Sequence, residues 1–249
     1  MQKTNSDESF DQTTLPEDSE LHYVAFCDIL GFSSMVASDF DRTLEIYKGL
    51  ARLLGQDIFA SSEVKITMYS DSILIVGKEL RPVLKAVQGI WFFALASDLM
   101  LRGGIAKGRY WERKRGNDLL VVSDALVRAV KLESMVSIPA VMLADDIELA
   151  DELWYPQLLG DPDAVVVTPL LHFRDRNIVN PFNRYWLLSA GNRAQSLMAS
   201  NPAHKEKYLW FLALHQAVTE RRQLVPKGLI DRLVREGVVG FVPHNQLGD

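Results

Sequence analysis

Two hydrophobic periods alternate along residues 22–150. Tyr23 to Asp28 reads as a buried strand, and Val64 to Ile66 with Ile73 to Val76 are β-rich runs flanking Ser70-Asp71-Ser72, as in a strand pair turning at polar residues. Between them Ser34 to Leu54 is apolar at Met35, Val36, Leu44, Ile46, Tyr47, Leu50 and Leu53, which predicts a helix entered through a glycine-containing loop. Arg81 to Met100 is apolar at Val83, Leu84, Val87, Ile90, Trp91, Ala94, Leu95 and Leu99, the stripe of a helix packed on a sheet. In Leu101 to Gly108, the glycines Gly103, Gly104 and Gly108 predict a strand across which something approaches closely. Leu119 to Val122 is a further β-run. Ser123-Asp124 then starts a helix with Leu126, Ala129, Val130 and Leu132 on its buried face, and Pro139 to Leu143 is a strand.

Strand, helix, strand, strand, helix, strand is the split βαβ order of a ferredoxin-like α+β fold. Beyond about residue 150, Val165 to Thr168 and Tyr185 to Leu188 are candidate added strands, while Lys205 to Glu220 and Lys227 to Glu236 carry helical patterns punctuated upstream by Pro162, Pro169, Pro181 and Pro202. The expected organisation is a polar, disordered tail over 1–20, a catalytic domain over 21–190 and a mostly helical C-terminal extension over 191–249.

Composition narrows the function classes. A net charge of −5 with scattered basic residues leaves no footprint for duplex nucleic acid. One cysteine, Cys27, forms no intrachain disulfide and no multi-cysteine zinc site, which fits a reducing, cytoplasmic compartment. His22, His172, His204, His215 and His244 are dispersed without ligand spacing. The first twenty residues do not read as a signal peptide, and the longest apolar stretch, Gly89 to Ala96, falls short of the ~20 residues that span a bilayer, so no membrane association is expected.

Candidate chemistry lies in Phe26-Cys27-Asp28-Ile29-Leu30-Gly31-Phe32-Ser33 and in Tyr69-Ser70-Asp71-Ser72. Each sets an Asp at a buried strand, where a charge is costly unless paired. Asp28 at the end of one strand and Asp71 at the bend of a neighbouring hairpin can converge, since adjacent strands lie about 4.8 Å apart. Paired carboxylates of this kind suit Mg²⁺ or Mn²⁺ with phosphates completing the shell, and the backbone N–H groups of Leu30 to Ser33 would face a triphosphate. Either Asp alone reads more simply as a turn residue or a helix cap.

These segments resemble class III nucleotidyl cyclases. Phe26 to Ser33 is similar to the family's first metal motif, Tyr69 to Asp71 to its second, Leu101 to Gly108 to its glycine-bearing central strand, and Val122 to Glu133 to its last catalytic helix. The four arrive in family order over about residues 22–150. The resemblance implies a ferredoxin-like cyclase catalytic domain acting as a head-to-tail homodimer with nucleotide sites at the interface. It also implies two metal ions, Mn²⁺ or Mg²⁺, held by Asp28, Asp71 and the Ile29 carbonyl. The reaction would be in-line attack of the ribose 3′-oxygen on the α-phosphorus, with release of diphosphate and no obligatory side-chain base.

Departures from the family pattern point to the base. Purine cyclases carry Lys or Glu where this chain has Thr67, and a second base-reading position falls near Leu120. Tyr69, placed by strand alternation on the face of Thr67 and Asp71, either crowds out a purine or packs in the core. The family's ribose-orienting Asn aligns with Val127 and its phosphate-binding Arg with Lys131. Asp28 to Phe32, Ser70 to Ser72 and Arg102 to Ile105 look most like the bacterial pyrimidine cyclases of Pycsar anti-phage systems. In those systems cyclic UMP or cyclic CMP activates a separately encoded effector. The expected activity is therefore conversion of UTP, ahead of CTP, to the 3′,5′-cyclic nucleotide, with Phe32, Thr67, Tyr69, Arg102 and Lys131 as nucleotide-binding candidates. The alternatives are a conventional adenylate or guanylate cyclase and a degenerate cyclase fold that senses nucleotide. Arg102 either contacts phosphate or base, or pairs with an acid beneath the sheet. Arg109 to Arg115 reads as a solvated hairpin tip or a contact to the partner's triphosphate, and Trp91-Phe92-Phe93 as core or dimer interface.

Overall fold

The computed structural model describes residues 20–54, 63–115, 118–135, 137–158, 166 and 168–237; the expected N-terminal tail lies outside them. Strand β1 (Leu21–Ile29) is followed by helices α1 (Phe32–Ser38) and α2 (Phe40–Leu54), hairpin strands β2 (Val64–Tyr69) and β3 (Ser72–Gly77), helix α3 (Leu80–Ala96), strands β4 (Leu101–Arg115) and β5 (Asp118–Ser123), helix α4 (Asp124–Ser134) and strand β6 (Val141–Leu143). The strands pair in the order β2-β3-β1-β4, each neighbour antiparallel, which is the ferredoxin-like arrangement the hydrophobic pattern predicts. β6 continues the sheet parallel to β4, and β5 folds back on β4 as an extended hairpin carrying Arg109 to Arg115.

The helix expected over Ser34 to Leu54 is two helices. Asp39 makes the break, because its carboxylate accepts the Arg42 N–H at 3.0 Å and its carbonyl accepts the Thr43 hydroxyl at 2.7 Å, capping α2. Of the expected strand over Val165 to Thr168, Val165 and Val167 lie outside the described residues, and the expected strand over Tyr185 to Leu188 is not formed. Strands β7 (Leu170–Phe173) and β8 (Arg176–Val179) form a hairpin that extends the sheet beside β6, whereas Leu187 and Leu188 open helix α5 (Leu187–Ser200). Helices α6 (Lys205–Thr219) and α7 (Lys227–Arg235) lie where the 3.6-residue period puts them. This region is held by buried side-chain amides. The Gln157 amide donates to the Leu170 carbonyl and accepts from the Leu224 N–H, while Asn180 reaches the Thr168 carbonyl and the Phe182 N–H.

Side-chain alternation on β1 divides the core in two. Ala25, Cys27 and Ile29 face the α3 side in the main core, and Val24 faces the other side with Leu74, Val76, Tyr110 and Ala125. Trp91 of α3 is fully buried and stacks on Phe211 of α6 with ring centroids 5.9 Å apart, so the C-terminal helices share the main core; Phe92 reaches Trp186 instead. No helix among the described residues is long and apolar enough to cross a membrane.

Helix α4 covers the second face, and the β4 glycines make its approach possible. A Cβ at Gly104 would stand 2.5 Å from the Ala129 carbonyl oxygen, and one at Gly108 would strike Asp124. At Gly228 in α7 nothing lies within 4 Å. Gly104→Ala is therefore expected to lower stability by about 1–3 kcal/mol, because backbone must move. Gly228→Ala is expected to raise it by up to about 1 kcal/mol through lower unfolded-state entropy. Urea midpoints of the two variants check this, and equal midpoints would contradict the close approach.

Candidate active site

A cross-strand row defines the site. Tyr69 pairs with Ser72, Ser72 with Asp28 and Asp28 with Arg102, so residues from β2, β3, β1 and β4 stand side by side on the face that carries α4. The adjoining row is Thr67, Leu74, Phe26 and Gly104. Asp71 belongs to neither row. The Tyr69–Ser72 pair leaves Ser70-Asp71 as the hairpin turn, with Ser70 at φ 53°. Strand alternation thus ends at Tyr69, and Asp71 does not share a β2 face with it; what brings Tyr69 towards Asp28 is the inter-strand register.

The turn is tied to β1 by the Ile29 N–H, which donates to the Asp71 carbonyl at 3.0 Å. This brings the Asp71 carboxyl near enough to that of Asp28 for its presence to raise the Asp28 carboxyl further. Arg102 closes the other side of Asp28, its Nε–H donating to Oδ2 at 2.9 Å. The same Nε lies 2.6 Å from Oε1 of Glu133, a buried residue of α4. Burial holds the Asp28 carboxyl above its ordinary range; the hydrogen bond and charge of Arg102 oppose the shift, and Asp71 adds to it. Burial raises Glu133 as well, with Arg102 opposing and both aspartates contributing.

Glu133 was not among the sequence candidates. The expected buried face of α4 was Leu126, Ala129, Val130 and Leu132; Ala129 is buried, and its buried companions against the sheet are Ala125 and Glu133, while Val130 is exposed. The spacing i, i+4, i+8 from Ala125 was the available signal: it puts a carboxylate at the end of an otherwise small, apolar stripe.

The remaining candidates are distributed around this centre. Ile29 is buried next to Asp28. Phe32 packs on Tyr47 of α2, ring centroids 6.1 Å apart. Thr67 is half-buried and Tyr69 is 56% exposed, so Tyr69 is not a core residue. Lys131 and Val127 lie one turn apart on the outer face of α4, away from Ala129 and Glu133; Val127 is 67% exposed. Leu120 and Val122 on β5 are exposed too. Arg102 pairs with Asp28 of β1 and Glu133 of α4.

Among the described residues no group of three or more His, Cys, Asp or Glu side chains is arranged to hold a metal ion. What the chain offers a divalent cation is the Asp28–Asp71 pair. Their hard oxygen donors and mutual repulsion fit Mg²⁺ or Mn²⁺, with water and phosphate oxygens needed to complete the shell.

No family model matches the chain, and no curated relative matches it. Among solved structures it is similar to adenylate cyclases of Trypanosoma brucei in their monomeric state, at 15% identity over 54% of this chain and 78% of that chain with a TM-score of 0.44. A likeness to the guanylyl cyclase Cya2 covers 51% of this chain and 76% of that one at 14% identity and a TM-score of 0.39. A class III adenylyl cyclase-like ATP-binding protein from Pseudomonas aeruginosa matches 69% of this chain and 40% of its own at 10% identity, TM-score 0.43. These are likenesses of architecture, and the chemistry rests on the residues described above.

Cys27 shares the strand but not the chemistry. It is fully buried on the α3 side, and burial, with Asp28 and Glu133 adding repulsion, pushes its thiol up to about 12. A thiol reagent at about pH 8 is expected to label it only after unfolding in guanidinium chloride, since the thiolate is the reactive form. Rapid labelling of the native protein, followed by absorbance, would contradict that placement.

Proposed function

We propose that this chain is a metal-dependent nucleotide cyclase whose substrate is a pyrimidine nucleoside triphosphate, UTP ahead of CTP, and whose products are the 3′,5′-cyclic nucleotide and diphosphate. The observation that carries the reading is the convergence of Asp28 and Asp71 at one end of a ferredoxin-like sheet, in the order of motifs on which the sequence resemblance rests. Bound there, Mn²⁺ or Mg²⁺ would supply Lewis-acid stabilisation of the 3′-oxygen and the triphosphate. The chain's own part is to hold two carboxylates together, one on β1 and one in the β2–β3 turn tied to it by the Ile29 N–H. A triphosphate is thereby positioned with its ribose over the same face.

The pyrimidine preference is supported by Thr67 and Tyr69, which occupy the two rows that contain Phe26 and Asp28. Neither offers the charged Lys or Glu with which purine cyclases read a base edge. Tyr69 is exposed, so its phenol is free to crowd a purine ring system and to hydrogen-bond a smaller base. A homodimer is supported by the outward face of α4 and by β5, where Leu120, Val122, Val127 and Val130 expose apolar surface beside Lys131. Lys131 faces away from the Asp28 of its own chain, which suits a residue that serves a partner's triphosphate. Signalling through a separately encoded effector in anti-phage defence, from a cytoplasmic location, is part of the same proposal and rests on the sequence resemblance.

Incubation of the purified protein with each common ribonucleoside triphosphate and Mn²⁺, followed by mass spectrometry, tests the reading. Cyclic UMP is expected as main product, and Asp71→Ala is expected to reduce its formation by roughly a hundredfold or more. Cyclic AMP or cyclic GMP as main product would refute the pyrimidine assignment. Nucleotide binding without any product would favour the sensor alternative, to which the Arg102–Asp28 ion pair lends its one structural support.

A further inference from the structure

The guanidinium of Arg102 stands on the very carboxylate that the proposed metal site needs. Its Nε–H is directed at Asp28 Oδ2, 2.9 Å away. Glu133 Oε1 is closer to the same nitrogen, at 2.6 Å, yet it receives no hydrogen bond and is buried from solvent. A buried carboxylate oxygen in charge contact but without a hydrogen bond is an unfilled acceptor, costly unless another state of the molecule fills it. Here a small rotation of Arg102 would fill it, because both acceptors already touch one nitrogen.

We propose that Arg102 and Glu133 form a built-in counter-ion shuttle: Arg102 is the resident cation of Asp28, and Glu133 is the positioning residue that receives it when a divalent ion takes the Asp28 carboxylate. The inference rests on the metal reading above and adds a regulatory step to that site. Without Glu133, metal entry would strip a half-buried guanidinium of its carboxylate and leave it facing a divalent cation. With Glu133, the displaced charge stays paired inside the same cluster. The receiving position is rigid because α4 is held at both ends of its contact with β4. Ser123 caps the helix by accepting the Leu126 N–H at 3.0 Å and donates to the Arg109 carbonyl at 2.8 Å, and Gly104 lies directly under Ala129 and Leu132.

Binding of Mn²⁺ alone to the full chain, measured by electron paramagnetic resonance titration, tests the shuttle through a double-mutant cycle. Glu133→Gln is expected to weaken Mn²⁺ binding about tenfold while Arg102 is present, the scale of one charged hydrogen bond, and to have little effect in an Arg102→Ala background. Arg102→Ala alone is expected to bind Mn²⁺ at least as tightly as the wild type. Circular dichroism melts confirm that each variant is folded. Equal weakening by Glu133→Gln in both backgrounds would overturn the shuttle, since Glu133 would then act on the metal directly or through bulk charge. Unchanged binding in Glu133→Gln would overturn it too, leaving the metal reading intact. A wild-type protein that binds no Mn²⁺ would overturn both.

Discussion

Asp28 is a charge on a central strand of the sheet, and the arrangement around it follows from the need to meet that charge. Its strand neighbours Cys27 and Ile29 point into the main core, so the alternation that builds the core sends Asp28 to the opposite face, where its side chain keeps 16% exposure. Removing a carboxylate from water costs several kcal/mol unless partners replace the lost hydration. Asp71 makes the problem worse, and Glu133 adds another negative group to the cluster. Arg102 brings the opposing charge that the chain places in contact with Asp28 and Glu133. Burial is the main cause of the raised Asp28 and Glu133 carboxyls and the neighbouring acids add to it, so on the proposed reading a divalent ion would bring the positive charge that the cluster is short of.

Backbone proximity makes this cluster possible. Glu133 reaches Arg102 because α4 lies directly on β4, and α4 can lie there because Gly104 and Gly108 present no Cβ to it. Both glycines and Arg102 are even-numbered residues of one strand, so they share the α4 face; the helix runs from Asp124 over Gly108 to Glu133 over Arg102. Packing geometry and site electrostatics are therefore set by the same short stretch of β4. A substitution that lifts the helix would also lengthen the Arg102–Glu133 contact, so on the proposed reading stability and cation affinity would be linked through a shared backbone position.

Much of this was legible in the order of residues, for reasons that are physical. β1 and β3 declare themselves through buried apolar runs, and the three β4 glycines are conspicuous in a strand because they forgo packing. Asp28 and Asp71 stood out because acids are rare where burial is high. Local pattern carries less beyond residue 150. There, β7 and β8 are specified by amides such as Gln157, whose partner Leu224 is remote in sequence, and no window of ten residues contains both. Glu133 escaped for a related reason: on a helix with two exposed valines its charge reads as surface, and its burial is decided by what β4 lacks. The break at Asp39 was a local signal, an Asp followed by helical residues, hidden within a longer period that fits either one helix or two.

On the proposed reading, the half of the sheet face that α4 leaves uncovered is where discrimination between bases arises. α4 occupies the β4 side through Gly104 and Gly108, so a nucleotide anchored at Asp28 and Asp71 has Thr67, Tyr69 and Ser72 of the β2–β3 hairpin beside it. Tyr69 is two strands from Asp28 in the same row, about 10 Å in hydrogen-bonding direction. That span suits a ribose and a single-ring base better than a fused-ring base that would meet the phenol edge-on. Exclusion by an aromatic ring needs no charged reader, and so the absence at Thr67 of the Lys or Glu of purine cyclases and the presence of an exposed Tyr69 are parts of one specificity argument: attraction to the purine edge is missing, and steric cost is set in its place.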